Sequence, residues 1–212
     1  MRKLFVFIFF LGFVFSSSAQ IGAVIGKNKD YEKPTSKKQK SSYSTAALAF
    51  AITKDAASDE DKVLAIYKWI TSNISYDNEL RLSSTLQKQF YTSEENVIKK
   101  VLERKMALCG GFAFLFKSLC GNVGLSAEVV HGFTKDYSRK VKKNKKPNHT
   151  WSAVKLDGQW KLLDITWAIG YGSAKGPDDF WLLTKPSEFI YSHYPEESKW
   201  TLLESPISLS EF

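Results

Sequence analysis

The chain is short of the residue types that mark most metal and cofactor enzymes. It holds two cysteines and three histidines, and neither Cys-x-x-Cys nor His-x-x-x-His spacing occurs, so no metal-site pattern is present. No glycine-rich phosphate loop follows an expected strand, which removes the usual signature of a nucleotide enzyme. Expected cofactors and metals are therefore none. The longest apolar run, residues 4–15, has 12 residues, whereas a membrane-spanning helix needs roughly 20. Stable membrane insertion is not expected. The chain shows no internal repeat. Its excess of basic residues, a net charge of +8, is concentrated at residues 27–40 and 139–146. Neither patch interleaves aromatic with basic residues, which argues against nucleic acid as a partner.

What is present begins with a leader. Arg2 and Lys3 precede the apolar run, and Ser17-Ser18-Ala19 supplies small residues before Gln20. Residues 1–19 read as a secretory signal peptide cleaved near Ala19-Gln20, so an exported protein, periplasmic or secreted, is expected. Residues 20–43 are rich in Lys, Ser and Asn and read as a flexible basic linker. The domain is expected over residues 44–212.

Within it, helical signals come first. Residues 44–57 are rich in alanine. Ser58 followed by Asp59, Glu60 and Asp61 is an N-cap with an acidic first turn, opening a helix to about Asn73. Thr92-Ser-Glu-Glu95 opens another, with Val97, Ile98, Val101 and Leu102 on its apolar side. Residues 77–91 lack periodicity and read as a loop. After Gly121 the period becomes two. Residues 127–133, 148–156 and 159–167 read as strands, the last two joined by the hairpin signal Asp157-Gly158. Residues 179–184 suggest a further strand, and Pro186 opens a short helix. Helices followed by an antiparallel sheet give the fold class α+β.

The chain is organised around Leu108-Cys109-Gly110-Gly111-Phe112, where a polar segment gives way to an apolar helix. A thiol at a helix start meets free N–H groups and partial positive charge, which favour the thiolate and can hold an oxyanion. The plain alternative is a small buried hydrophobe. Cys109 and Cys120 on one helix would lie roughly 16 Å apart, too far for a disulfide, which needs Cα atoms within about 7 Å. Both are expected to be free, Cys120 as core.

The hairpin supplies a geometric test. With Asp157 and Gly158 as turn residues, Leu156 pairs with Gln159, Trp151 with Asp164 and His149 with Thr166. His149 and Asp164 become diagonal neighbours on one face, with Cα atoms about 7–8 Å apart. That face, with Trp151, Trp160 and Leu162, is the natural one to dock on the Cys109 helix. Cys109 as nucleophile, His149 as base and Asp164 as its orienting carboxylate form a coherent set. Separately, His149 is readable as a histidine satisfied within the sheet, and Asp164 as a strand-end cap. His131, with no evident carboxylate partner, reads as structural.

At these positions the sequence also resembles a known family. Leu108-Cys109-Gly-Gly-Phe-Ala-Phe-Leu-Phe-Lys, Asn148-His149-Thr-Trp-Ser-Ala-Val and Leu163-Asp164-Ile-Thr-Trp167 are similar to the three blocks of the transglutaminase-like superfamily. The segments Asp179-Phe-Trp-Leu-Leu-Thr, Pro186-Ser-Glu-Phe-Ile190 and His193-Tyr-Pro-Glu-Glu-Ser-Lys-Trp200 resemble its kyphoscoliosis-peptidase branch, in which His193 matches a packing block. The resemblance implies a papain-like fold and a Cys-His-Asp triad working on amides through a thioester. It also implies Tyr76 as an oxyanion candidate, while the residues themselves suggest a substrate groove at Gly110, where the backbone is left uncovered, and at Trp151 and Trp167.

The expected activity is that of a cysteine peptidase or amide hydrolase acting on a peptide or protein, including one of the cell envelope. Alternatives are a crosslinking transglutaminase and a non-catalytic module that binds peptides through the tryptophan groove. Attachment to a cell wall through the basic loops is a third. Loop 139–147 reads as a solvated connection or a gate. Asn148-His-Thr150 is formally a glycosylation acceptor beside the expected base, which points to a bacterial source that leaves it unmodified.

Overall fold

The computed structural model describes residues 44–135 and 146–212. The leader, the linker and all but the last two residues of loop 139–147 lie outside the described residues. Helices α1 (Thr45–Thr53) and α2 (Asp59–Asn73) come first, followed by a two-residue strand β1 (Ser75–Tyr76). The short helices α3 (Asn78–Leu82) and α4 (Ser84–Phe90) lead to α5 (Glu94–Arg104), strand β2 (Met106–Ala107) and helix α6 (Cys109–Asn122). Strands β3 (Ala127–Thr134), β4 (His149–Leu156) and β5 (Gln159–Leu163) follow, then helix α7 (Ile165–Tyr171). A 3-10 turn (Asp179–Trp181), helix α8 (Pro186–Phe189), strand β6 (His193–Pro195) and a second 3-10 turn (Ser198–Thr201) complete the order.

Local chemistry sets the helix boundaries. Ser58 Oγ accepts the Asp61 N–H at 3.1 Å, and Ser93 Oγ accepts the Asn96 N–H at 3.1 Å. Each such cap stabilises its helix by about 1 kcal/mol. The expected loop at 77–91 is instead two short helices, because Asp77 caps Leu80 and Ser83 caps Leu86. Neither helix is long enough to display a 3.6-residue period, so the pattern conceals them.

The sheet is antiparallel in the order β5-β4-β3-β6. Asp157 and Gly158 adopt positive φ, 49° and 78°, as a two-residue hairpin of this twist requires. Leu156 pairs with Gln159 and Ser152 with Leu163, the expected register. Beyond Leu163 the strand expectation fails. Asp164 Oδ1 accepts the Trp167 N–H at 2.9 Å and starts α7, so His149 has no strand partner at Thr166. The expected strand at 179–184 is a 3-10 turn with a single bridge from Leu162 to Thr184.

Helix α6 is the central post, packing against α1, α2 and α5 and against β3 and β4. Phe112, Leu115, Phe116, Leu119 and Cys120 are all essentially inaccessible on it. Burying one such Leu or Phe side chain is worth about 1.5–3 kcal/mol, so this core fixes where α6 begins. Gly111 permits the contact with α5, since a Cβ there would sit 2.9 Å from Val101 Cγ2. Among the described residues no helix is long and apolar enough to cross a membrane.

Candidate active site

Cys109 is the first residue of α6, and its N-cap, Leu108, makes no side-chain cap bond. Helices α2, α3, α4, α5 and α7 are capped by a serine or aspartate side chain. At α6 no side chain takes up the end N–H groups that way. The His149 ring and the Gly110 N–H both act on the Cys109 sulfur to lower its pKa. Burial alone would raise the Cys109 pKa, but the hydrogen bond and charge of His149 bring it below the ordinary thiol value. Cys120, buried with no such partner, is pushed well above it. Both cysteines are free, and their surroundings shift them in opposite directions.

His149 opens β4, and its Nε2 lies 2.5 Å from Asp164 Oδ2, which leaves Nδ1 for Cys109. Burial disfavours the imidazolium, yet the Asp164 charge and hydrogen bond, with help from Cys109, raise its pKa to about 10. Asp164 is fully buried. Burial would raise its pKa, but both histidines on it hold the carboxyl well below the usual carboxylate range. A buried carboxylate needs such partners. His149 thus stands between a carboxylate that favours its imidazolium form and a thiol whose pKa it lowers.

Asp164 carries a second imidazole that the sequence did not reveal. His193 Nε2 lies 3.0 Å from the same Oδ2, and its Nδ1 is 2.7 Å from Ser192 Oγ. The available signal was a histidine beside Tyr194-Pro195, read there as packing. The ligand atoms of His149, Asp164 and His193 all lie within 4.8 Å of one another. Their 2.5 and 3.0 Å spacings are those of hydrogen bonds to a shared oxygen.

Strand pairing brings Tyr76 to the site. β1 runs parallel to β2, with Tyr76 opposite Ala107, two residues before Cys109. The Tyr76 phenol is raised in pKa by burial and by the Cys109 charge. Buried Asp77 anchors that strand: its Oδ2 receives Arg104 Nη2 at 2.9 Å. Tyr91 was not foreseen. Its ring lies 3.3 Å from where a Gly110 Cβ would stand. Burial and the Cys109 charge push the pKa of its phenol far up.

The expected groove is corrected. Trp151 is 2 % exposed, with its indole N–H unpartnered, so it underlies the histidines and cannot line a groove. Gly110 is buried beneath Tyr91. Trp167 is half-buried, its ring centroid 6.0 Å from that of His149, and remains beside the site. Trp160 packs edge-on against Trp200, with centroids 5.0 Å apart. His131 bonds Thr150 Oγ1 at 3.0 Å through Nδ1, a structural role.

Chemically, a thiolate beside an oriented imidazolium is fit for attack on an acyl carbon followed by proton delivery to the leaving group. A sequence model of the transglutaminase-like superfamily matches residues 46–165. Kyphoscoliosis peptidase of Mus musculus is 30% identical over 173 residues, covering 78% of this chain and 25% of that protein. Lim and transglutaminase domain protein ltd-1 of Caenorhabditis elegans is 30% identical over 183 residues, covering 78% and 24%. The chain thus spans about a quarter of the length of these relatives. A solved structure described as a putative cysteine protease from Cytophaga hutchinsonii is 23% identical, with a TM-score of 0.42, covering 57% of this chain and 36% of that one.

Proposed function

The chain belongs to the transglutaminase-like superfamily, a family of thiol enzymes with a papain-like α+β fold, and from that premise we propose that it is a cysteine peptidase or amide hydrolase. The observation that carries the proposal is His149 held 2.5 Å from Asp164 while lowering the pKa of Cys109 at the uncapped start of α6. The name of the mouse relative, a peptidase, supports the same choice.

In this reading the Cys109 thiolate adds to the carbonyl carbon of a peptide or carboxamide. The oxyanion is held by N–H groups at the α6 start and by the Tyr76 hydroxyl. Collapse breaks the C–N bond as the His149 imidazolium gives its proton to the departing amine. Neutral His149 then takes a proton from water, the hydroxide opens the thioester, and the carboxylic acid leaves with Cys109 regenerated. An amine in place of that water would yield an isopeptide and make the protein a crosslinking transglutaminase. The word transglutaminase in the name of the nematode relative keeps this outcome in view. The leader motif supports export to the periplasm or outside the cell, with a peptide or protein of the envelope as substrate.

The test is the pH dependence of Cys109 alkylation by iodoacetamide in wild type and His149→Ala. An ordinary thiol titrates near ~8.5, whereas a histidine-paired thiolate reacts below neutrality. A low limb that moves up in His149→Ala supports the enzyme. An ordinary limb in both would leave a binding module. Incubation with a glutamine peptide and an amine donor separates the outcomes: release of ammonia without amine incorporation is hydrolysis.

A further inference from the structure

A nucleophile–base–carboxylate relay needs one hydrogen bond to its carboxylate, and Asp164 accepts three. Oδ1 takes the Trp167 N–H at 2.9 Å. Oδ2 takes His149 Nε2 at 2.5 Å and His193 Nε2 at 3.0 Å. Two imidazoles converge on one oxygen.

His193 is as firmly held as a core residue. It is 1% exposed, and its backbone lies in β6, paired with β3 through Thr134. Its ring is enclosed by Phe189, Trp167, Trp151 and Trp181, at centroid distances of 4.2, 4.4, 5.1 and 5.3 Å. Gly132 makes room for this cage, because a Cβ there would stand 2.4 Å from the Trp151 ring and 2.3 Å from the Tyr194 carbonyl. Burial and the neighbouring His149 charge lower the His193 pKa to about 4, against the pull of Asp164, so the ring is neutral. Its single N–H must then be assigned. Ser192 has a hydroxyl proton to give to Nδ1, and the carboxylate can only accept. The proton therefore sits on Nε2 and is donated to Asp164. Besides Asp164 from the start of α7 and His149 from β4, no charged or titratable group acts on His193 among the described residues.

We propose that His193 is a positioning residue of the site. With the Trp167 N–H it pins both oxygens of Asp164, so the carboxylate cannot rotate and Oδ2 stays aligned with the His149 N–H. The line of donors then runs from Ser192 through His193 to Asp164, and from His149 to the same oxygen. A carboxylate held only by His149 would share its orientation with the group it is meant to orient. The proposal rests on reading Cys109, His149 and Asp164 as the catalytic relay.

The experiment combines alkylation of Cys109 against pH with proton NMR of the His149–Asp164 hydrogen bond, in the full chain. In His193→Leu the limb of thiolate reactivity should move up by half a pH unit or more, and the downfield His149 proton should broaden or vanish. Turnover of a peptide substrate should fall about tenfold in kcat with KM little changed. His193→Gln, whose amide N–H can reach Oδ2, should restore both signals in large part, which mere filling of space would not. A folded His193→Leu with the wild-type limb and proton signal would overturn the proposal. Should that variant fail to fold, Ser192→Ala carries the test. It removes the donor that sets the His193 tautomer, and a limb unmoved by it would equally overturn the idea. His149→Ala separates the two levels: a wild-type limb indifferent to His149 ends the catalytic reading itself.

Discussion

His149 Nε2 and Asp164 Oδ2 lie 2.5 Å apart although fifteen residues separate them in sequence. The hairpin register supplies the coarse approach, and the start of α7 supplies the aim. Asp164 spends one oxygen on capping that helix and has the other left for imidazole. Folding and chemistry share a single carboxyl group.

Replacing Asp164 by Asn tests that division. The amide oxygen can still cap Trp167, but the amide nitrogen then faces both imidazoles as a donor. His149 must answer with an unprotonated Nε2, which puts its proton on Nδ1, where it cannot receive one from Cys109. We expect a fall in kcat of about 10⁴ with the fold retained, read by steady-state kinetics and circular dichroism.

Tyr76 is separable from the relay. Tyr76→Phe should lower acylation by a peptide substrate about 10²–10³-fold, the usual cost of one oxyanion donor. Alkylation by iodoacetamide, which develops no oxyanion, should be unchanged. Equal loss in both assays would assign Tyr76 to the setting of the thiolate instead.

Stability should pass through a maximum near pH 6.5. His149 is raised to about 10, so its protonated form stabilises the fold fully below 6.5, and this contribution is lost as pH rises toward 10. The lowered Cys109 pKa offsets part of that loss on the alkaline side. His193, lowered to about 4, must charge as pH falls from 6.5 to 4, which costs on the order of 3 kcal/mol at full protonation. Urea unfolding across this range should show the acid limb, and His193→Gln should flatten it.

Gly132→Ala should reach the site through packing alone. The added methyl meets the Tyr194 carbonyl and the Trp151 ring at 2.3 and 2.4 Å, so β6 or Trp151 must shift. A loss of about 1–3 kcal/mol is expected, measured as a lower urea midpoint. Because β6 carries His193, the alkylation limb should move in the same direction as in His193→Leu. A midpoint equal to wild type would show that the strand absorbs the methyl without strain.

Much of this was legible in the chain. Ser58 and the segment Thr92-Ser-Glu-Glu95 announce their helices because a cap is a local bond, made within three residues, although the cap falls on Ser93. Asp157-Gly158 announces the hairpin and its register because two positive φ values admit few other residues. Where local signals competed, pattern misled. Ile165-Thr-Trp has the β-branched and aromatic character of a strand, yet the Asp164 cap and packing against α2 and α6 make it a helix.

What the sequence by itself determined is the order of the longer helices and of the hairpin strands, and the approach of His149 to Asp164, since these follow from bonds between near neighbours and from the period of two. Cys109 at a helix start was equally readable. Only the tertiary structure decided what closes on these residues. Parallel pairing of β1 with β2, far apart in the chain, sets Tyr76 by the thiol. The aromatic cage turns His193 toward Asp164, buries Trp151 and leaves Trp167 half-buried. Those contacts arise from burying apolar area, which is non-directional. The side chains say that such surfaces must be covered, and only the packed chain selects by which partners.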